Sequence, residues 1–277
     1  SMRKLACFMM AAIFSFTGCS SDPEPGDMGA EENIGGTIGY SAMSFKNPFF
    51  VVIKENLEDA AKAAGYELIA NDADSDVSKQ ANHIDEFISK GVSAIVLNPT
   101  DKLAIGEAIK KANAAGIPVF TCDLQCTAEG VDIVGHIGTD NYQGGTLAGK
   151  AMVEILGDQG GEVLVLDYKQ ANSCVLRVDG FMEVIDKHNG GRQEGKIQII
   201  AEVNGGGDED IGYKATTDLL VAHPNIAGVF AINDPSALGA WKAIDEAGKT
   251  EQITIVGFDG AKAGKQAILE GKIYADP

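Results

Sequence analysis

Asp123, Asp259 and Arg177 are the charged residues whose placement in this 277-residue chain points to chemistry. Carboxylates accept hydrogen bonds from hydroxyls, and an arginine donates a planar fork. Asn47, Asn172 and Asn233 add side-chain amides that do either. Phe49, Phe50 and Phe258 supply flat rings that cover C–H faces. Together they suit a compact polyhydroxylated molecule. The set includes no nucleophile–base pair, which argues against an enzyme. His83, His136, His188 and His223 show no paired metal-ligand spacing, and no GxSxG motif is present. Neither a metal nor a cofactor is expected.

The stretch SFKNPFF (Ser44–Phe50) shows how local chemistry sets these groups. Asn47 suits a helix N-cap, and Pro48 suits the first helical position, where its missing N–H costs nothing. Successive helical residues point about 100° apart. Phe49 and Phe50 therefore cannot both bury against one core face, and one of them is expected to line something else.

The elements that must hold these residues alternate along the chain. TIGYSAM (Thr37–Met43) precedes a helix from Pro48 to Ala64, and YELIAND (Tyr66–Asp72) precedes one from about Val77 to Lys90. SAIVLN (Ser93–Asn98) precedes a helix from about Lys102 to Ala115. IPVFTCD (Ile117–Asp123) then leads to VDIVGHIGTD (Val131–Asp140). Gly65, Gly91 and Gly116 fall where left-handed helix caps form. The apolar runs are near-continuous, as in strands covered on both faces.

The pattern restarts with a helix at about Tyr142–Leu156. Strands at Gly161–Tyr168, Lys196–Val203, Ile226–Asn233 and Ile253–Asp259 then alternate with helices, and Lys272–Pro277 follows the last of them. Repeated β-α units give parallel sheets with helices on both faces. The fold class is α/β: two similar doubly wound lobes, 36–137 and 138–277, joined near His136–Asn141. Ligands bind outside the carboxyl ends of such strands, where the nine residues fall.

Charge and the N-terminus narrow the setting. There are 22 basic and 40 acidic residues, a formal net charge of −18. Nucleic-acid binders need a basic face, so that class is excluded. Arg3 and Lys4 precede LACFMMAAIFSF and TGC, the order of a secretory signal over residues 1–19. FTGC resembles a lipobox, which implies lipidation of Cys19; a plain cleaved signal is the alternative. The acidic, Pro- and Gly-rich segment 20–35 is a tether by composition. An extracytoplasmic domain follows, so Cys122, Cys126 and Cys174 meet an oxidising compartment. Three cysteines allow at most one disulfide, or all three are small buried hydrophobes.

NPFF (Asn47–Phe50), NPTD (Asn98–Asp101), AGIPV (Ala115–Val119), HIGTDN (His136–Asn141), RVDGF (Arg177–Phe181), LLVAHPNIAGVFAIND (Leu219–Asp234), ALGAWKAIDEAGK (Ala237–Lys249) and IVGFDG (Ile255–Gly260) are similar to the ribose-type periplasmic sugar-binding proteins. The resemblance runs from about Gly36 to Pro277. It implies the type I periplasmic binding fold, a hinge, a monomer, and capture of a small neutral carbohydrate. The partner it implies is the membrane permease of an ABC importer. It also implies ligand contacts from Asn47, Phe49, Phe50, Asp123, Arg177, Asn233, Phe258 and Asp259, with the two phenylalanines as one aromatic wall. A sugar-sensing module for a chemoreceptor or kinase is the alternative.

Three positions depart from the family's pattern. Leu124 stands in place of an arginine, Met43 in place of a small polar residue, and Gly207 falls where a second-lobe aromatic is expected. These imply a wider pocket than a ribose site, for another pentose, a hexose, a deoxy sugar or a polyol. The resemblance also implies a further crossing to the first lobe beyond Lys272–Pro277.

DADSDV (Asp72–Val77) lacks the glycine and final glutamate of a calcium loop, and Asp76 reads better as a helix cap. GGTLAG (Gly144–Gly149) lies within a helix, where close packing accounts for it.

Overall fold

The computed structural model describes residues 35–277. The leader, Cys19 and nearly all of the acidic segment 20–35 lie outside the described residues. From Gly36 the chain builds β1 (Gly36–Ala42), α1 (Pro48–Ala63), β2 (Tyr66–Asp72), α2 (Val77–Lys90), β3 (Ala94–Leu97), α3 (Gly106–Ala114), β4 (Val119–Cys122) and β5 (Gly135–Ile137). It continues with α4 (Asn141–Leu156), β6 (Gly161–Asp167), α5 (Asn172–Asn189), β7 (Ile197–Asn204), α6 (Glu209–Ala222), β8 (Ile226–Ala231), α7 (Asp234–Glu246), β9 (Thr254–Val256) and α8 (Lys262–Leu269).

The strands form two parallel sheets, ordered β2-β1-β3-β4-β5 and β7-β6-β8-β9. The first four positions repeat one topology, so each lobe is a doubly wound unit built the same way. Alternation along the strands explains the layering. In β3, Ile95 and Leu97 bury against α2 and α3 with Ile84, Phe87, Ile105 and Ile109. Val96 faces the other way, toward the cluster that holds Phe50 of α1. In β6, Val163 and Val165 join Met152 of α4 and Phe181 and Ile185 of α5. Leu164 and Leu166 join α6, α7 and α8 on the opposite face. Phe181 stacks on Phe230 of β8, ring centroids 4.4 Å apart. Such pairs add about 0.5–1.5 kcal/mol beyond area burial.

Local chemistry sets the helix ends. Asn47 caps α1, its side chain accepting from Phe49 N at 3.0 Å. Asp76 caps α2 by accepting from Ser78 N and Lys79 N. Gly91 closes α2 at φ 63°, a left-handed cap that a residue with a Cβ adopts only under strain. Gly145 and Gly149 of GGTLAG let α4 lie against α5: a Cβ at Gly145 would strike the Arg177 carbonyl, and one at Gly149 would crowd Phe181 and Val184.

Two elements differ from the sequence expectation. The helix expected from Lys102 begins at Gly106. Asp101 accepts from Leu103 N and Ala104 N, which folds a turn, and the Lys102 amide donates to Gln170 O of the other lobe at 3.0 Å. The strand expected over Val131–Asp140 is confined to Gly135–Ile137, because Asp132 exchanges backbone hydrogen bonds with the Asn113 side chain of α3. Beyond α8, Lys272–Pro277 contributes one parallel bridge, Ala275 to Val256. Cys122, Cys126 and Cys174 are free thiols, and burial pushes all three above the usual thiol range.

Candidate functional site at the strand ends of two lobes

The first lobe presents the loop after β1, the N-terminus of α1 and the end of β4. Asn47 is half-buried at the helix start. Phe50 is buried in the core and Phe49 is half-buried beside it, edge to face at 5.8 Å between centroids. Both rings pack on the same apolar cluster, Phe50 fully inside it and Phe49 at its edge with part of its surface accessible.

Asp123 follows β4 with φ 58°, left-handed for a residue with a Cβ. Strain of that kind gathers at functional sites. The residue is only 8% exposed, and its carboxylate makes no hydrogen bond to another described residue. Burial raises its pKa; Arg177 and His136 pull the other way.

A buried polar network fixes the strand ends behind it. Tyr40 OH donates to Asn98 Oδ1 at 2.6 Å, and Asn98 Nδ2 donates to the Cys122 carbonyl, the residue before Asp123. Gln80 Nε2 donates to Asn98 O at 2.9 Å and Gln80 Oε1 accepts from Thr100 N at 2.8 Å.

The second lobe is organised around Arg177 of α5, which is 5% exposed. Its Nε donates to Asn141 Oδ1 at 2.8 Å. Its Nη1 donates to Ile232 O at 2.7 Å and to Asp259 Oδ1 at 2.8 Å. The guanidinium lies over the Phe258 ring, 3.9 Å from its centroid. Nη2 is the nitrogen that no described residue engages. The fork expected for a ligand is therefore largely committed within the protein. Phe258 is the platform under it, and a Cβ at Gly144 would collide with that ring.

Asp259 has φ 110°. Burial raises its carboxyl to about 6, against the opposing pull of Arg177. The two strained aspartates thus stand at the carboxyl ends of corresponding strands, β4 and β9.

The remaining two amides have structural partners, Asn233 buried and Asn172 half-buried. Asn233 caps α7, accepting from Ser236 N at 3.0 Å and donating to Gly207 O at 3.1 Å. Asn172 opens α5 and donates to Gln125 Oε1 of the first lobe at 2.8 Å. The Asn172–Gln125 and Lys102–Gln170 hydrogen bonds join the lobes at the strand ends. Leu124, buried, belongs to an apolar cluster shared with Ala171 and Cys174 of the second lobe.

Sequence reasoning missed Asn141, Gln125 and His136 as parts of this arrangement. HIGTDN held the signal for two of them: polar residues at a strand end and a helix start. His136 Nδ1 lies 2.9 Å from Thr121 Oγ1, and its neighbourhood with Asp123 follows only from β4–β5 pairing.

Two equivalent parallel sheets, with charged and aromatic groups converging at their carboxyl ends, define a two-lobed binding protein. Residues 38–276 match the family model of the periplasmic binding protein domain, and the chain belongs to that family. It is 34% identical to the ribose import binding protein RbsB of Bacillus subtilis, over 99% of this chain and 86% of that one. It is also 34% identical to a D-apiose import binding protein of Paraburkholderia graminis, over 86% of this chain and 74% of that one. Among solved structures, an ABC transporter periplasmic solute binding protein from Actinobacillus succinogenes with bound D-allose superposes with a TM-score of 0.75. That structure is 27% identical and is matched over 86% of this chain and 83% of its own.

Proposed function

We propose that this protein is an extracytoplasmic solute-binding protein that captures a sugar or polyol between its lobes and delivers it to an ABC importer. The observation that carries the reading is the convergence of unpaired Asp123 and the Arg177–Asp259 pair from opposite lobes. Relatives named for ribose and D-apiose import, and a solved neighbour with bound D-allose, support the ligand class. Asn47, Phe49, Phe50, Asn172, Asn233 and Phe258 complete the proposed site. The role is binding rather than catalysis.

Binding is coupled to closure in this reading. A ligand favours the closed form only through contacts it makes there and not in the open form. Asp123 and Phe49 come from one lobe, Arg177 and Asn233 from the other, so the full set exists only when the lobes meet. Hinge closure is the usual response of such proteins. The protein acts as a monomer held at the membrane by a lipid on Cys19, with the permease as partner.

Calorimetry of the mature protein against D-ribose, D-apiose, D-allose, D-fucose and myo-inositol tests the ligand class. Binding of one of them, with a smaller radius of gyration in solution scattering, is the expected result. Failure of the whole panel would sink the sugar reading. For the anchor, Cys19→Ala is expected to move the protein from the membrane to the soluble fraction; an unchanged membrane fraction would refute lipidation.

A further inference from the structure

A second pair of buried carboxyls lies beside the site without taking part in it. Asp234 heads α7, immediately after Asn233, and is 3% exposed. Its Oδ2 accepts from Ala261 N at 2.9 Å, but its Oδ1 is buried with no partner. Both carboxylate oxygens of Asp276 are buried and unpartnered too. The two groups converge on one point: a Cβ at Gly264, in the first turn of α8, would collide with Asp234 Oδ1 and with Asp276 Oδ2. Between the facing oxygens of two ionised carboxylates there are only acceptors, and the nearby amides of Ala261 and Gly260 do not lie between them.

The segment that carries Asp276 runs beside β9 and reaches the site. Tyr274 N donates to Ile255 O at 2.8 Å, Gly257 N to Ala275 O at 2.9 Å, and Asp259 N to Pro277 O at 3.3 Å. Asp234 holds the other side of the same turn through Ala261 N. The turn between them carries Asp259 in its strained conformation.

We propose that Asp234 and Asp276 share one proton, and that this proton clasps the segment 274–277 to the β9–α8 turn and so positions Asp259. The positioning role rests on the reading of Asp259 as a ligand-site residue; the shared proton does not. The proton supplies the missing donor, because the neutral carboxyl donates its O–H to the ionised one.

The surroundings favour retention of that proton. Burial, the hydrogen bond and charge of Asp276, and the charge of Asp259 push Asp234 up to about 8. Burial also raises Asp276, while its hydrogen bond with Asp234, the Gly260 backbone N–H, and the charges of Arg177 of α5 and Lys265 of α8 oppose it. The sign follows from folded values raised above the ordinary ~3.9 of an aspartate. The stability contributed by the retained proton is full below the ordinary aspartate range and is lost as pH rises through about 8, and the one-proton form fills the window between the titrations of the two raised carboxyls. Asp234 and Asp276 are positioning residues here, acting through the turn.

The test compares unfolding free energies of the full chain, Asp276→Asn, Asp234→Asn and the exposed control Asp59→Asn between pH 5 and 9. An amide at 276 donates to Asp234 without needing the proton. The pH slope between 6 and 8 is expected to fall by up to one proton in either pair variant and to stay at the wild-type value in the control. Equal slopes in all four would overturn the proposal.

Carboxyl 13C spectra of 13Cγ-aspartate-labelled wild type give a readout that needs no variant. One aspartate is expected to titrate above pH 7, and none doing so would overturn the shared proton. With whichever of D-ribose, D-allose or myo-inositol binds, affinity is expected to fall from pH 6 to 9 in wild type and to hold in Asp276→Asn. A parallel fall in both would overturn the positioning role. If no sugar binds while the slopes and spectra behave as expected, the sugar reading fails and the shared proton stands.

Discussion

Asp259 and Arg177 form an ion pair of 2.8 Å whose side chains are 9% and 6% exposed. Arg177 is held in that place by Asn141, by the Ile232 carbonyl and by the Phe258 ring beneath it. The pair therefore belongs to the architecture of the second lobe as much as to any ligand. Breaking a buried pair by deleting one partner strands the other charge, at about 3–5 kcal/mol.

Arg177→Ala is accordingly expected to cost about 3–5 kcal/mol of folding stability as well as ligand affinity, in urea unfolding followed by circular dichroism. Arg177→Lys, a point charge without the planar fork, is expected to lose Asn141 or Asp259 and to bind at least tenfold more weakly. Wild-type stability in Arg177→Ala would contradict the buried network.

Asp123→Asn separates binding from folding. The carboxylate is buried without a hydrogen bond to another described residue, and asparagine tolerates its left-handed backbone. Because burial raises this group's pKa, the ionised form costs stability, increasingly as pH rises above the ordinary aspartate range. The variant is expected to melt at or above the wild-type temperature at pH 8. Sugar affinity is expected to fall about ten- to a hundredfold, equivalent to about 1.5–3 kcal/mol for a hydrogen bond to a charged group. Calorimetry and thermal melts on one sample check both.

Phe49→Ala and Phe50→Ala are expected to diverge. Phe50 is buried in the core, so its truncation is expected to cost about 3–5 kcal/mol. Phe49 is half-buried, and its truncation is expected to cost less than about 2 kcal/mol while weakening ligand binding more than tenfold. The same loss of stability in both would mean that both rings are core.

Gly145→Ala tests how the scaffold reaches the site. Its new Cβ would strike the carbonyl of Arg177 itself. Overpacking of this kind costs about 1–3 kcal/mol. The α4–α5 spacing is expected to open and Arg177 to shift, so stability and affinity fall together. A variant that binds as tightly as wild type would show that Arg177 tolerates displacement.

The repeated β-α order is legible in the sequence alone, because apolar runs, Gly at helix ends and Asn or Asp at helix starts act within a few residues. Asn47 and Asp76 cap α1 and α2 for that reason, and Gly145 and Gly149 lie inside α4. It also placed the nine candidate residues at strand ends, since strand direction follows from the repeated crossovers. Which of these groups pair is a matter of long-range packing. Arg177 and Asp259 are 82 positions apart, Arg177 and Asn141 are 36, and Asn172 meets Gln125 across the lobes. The start of α3 was decided the same way, by an amide of one lobe donating to a carbonyl of the other. Such partners are chosen by the packing of whole sheets and helices, where a buried donor without an acceptor costs more than the local preference of any one segment.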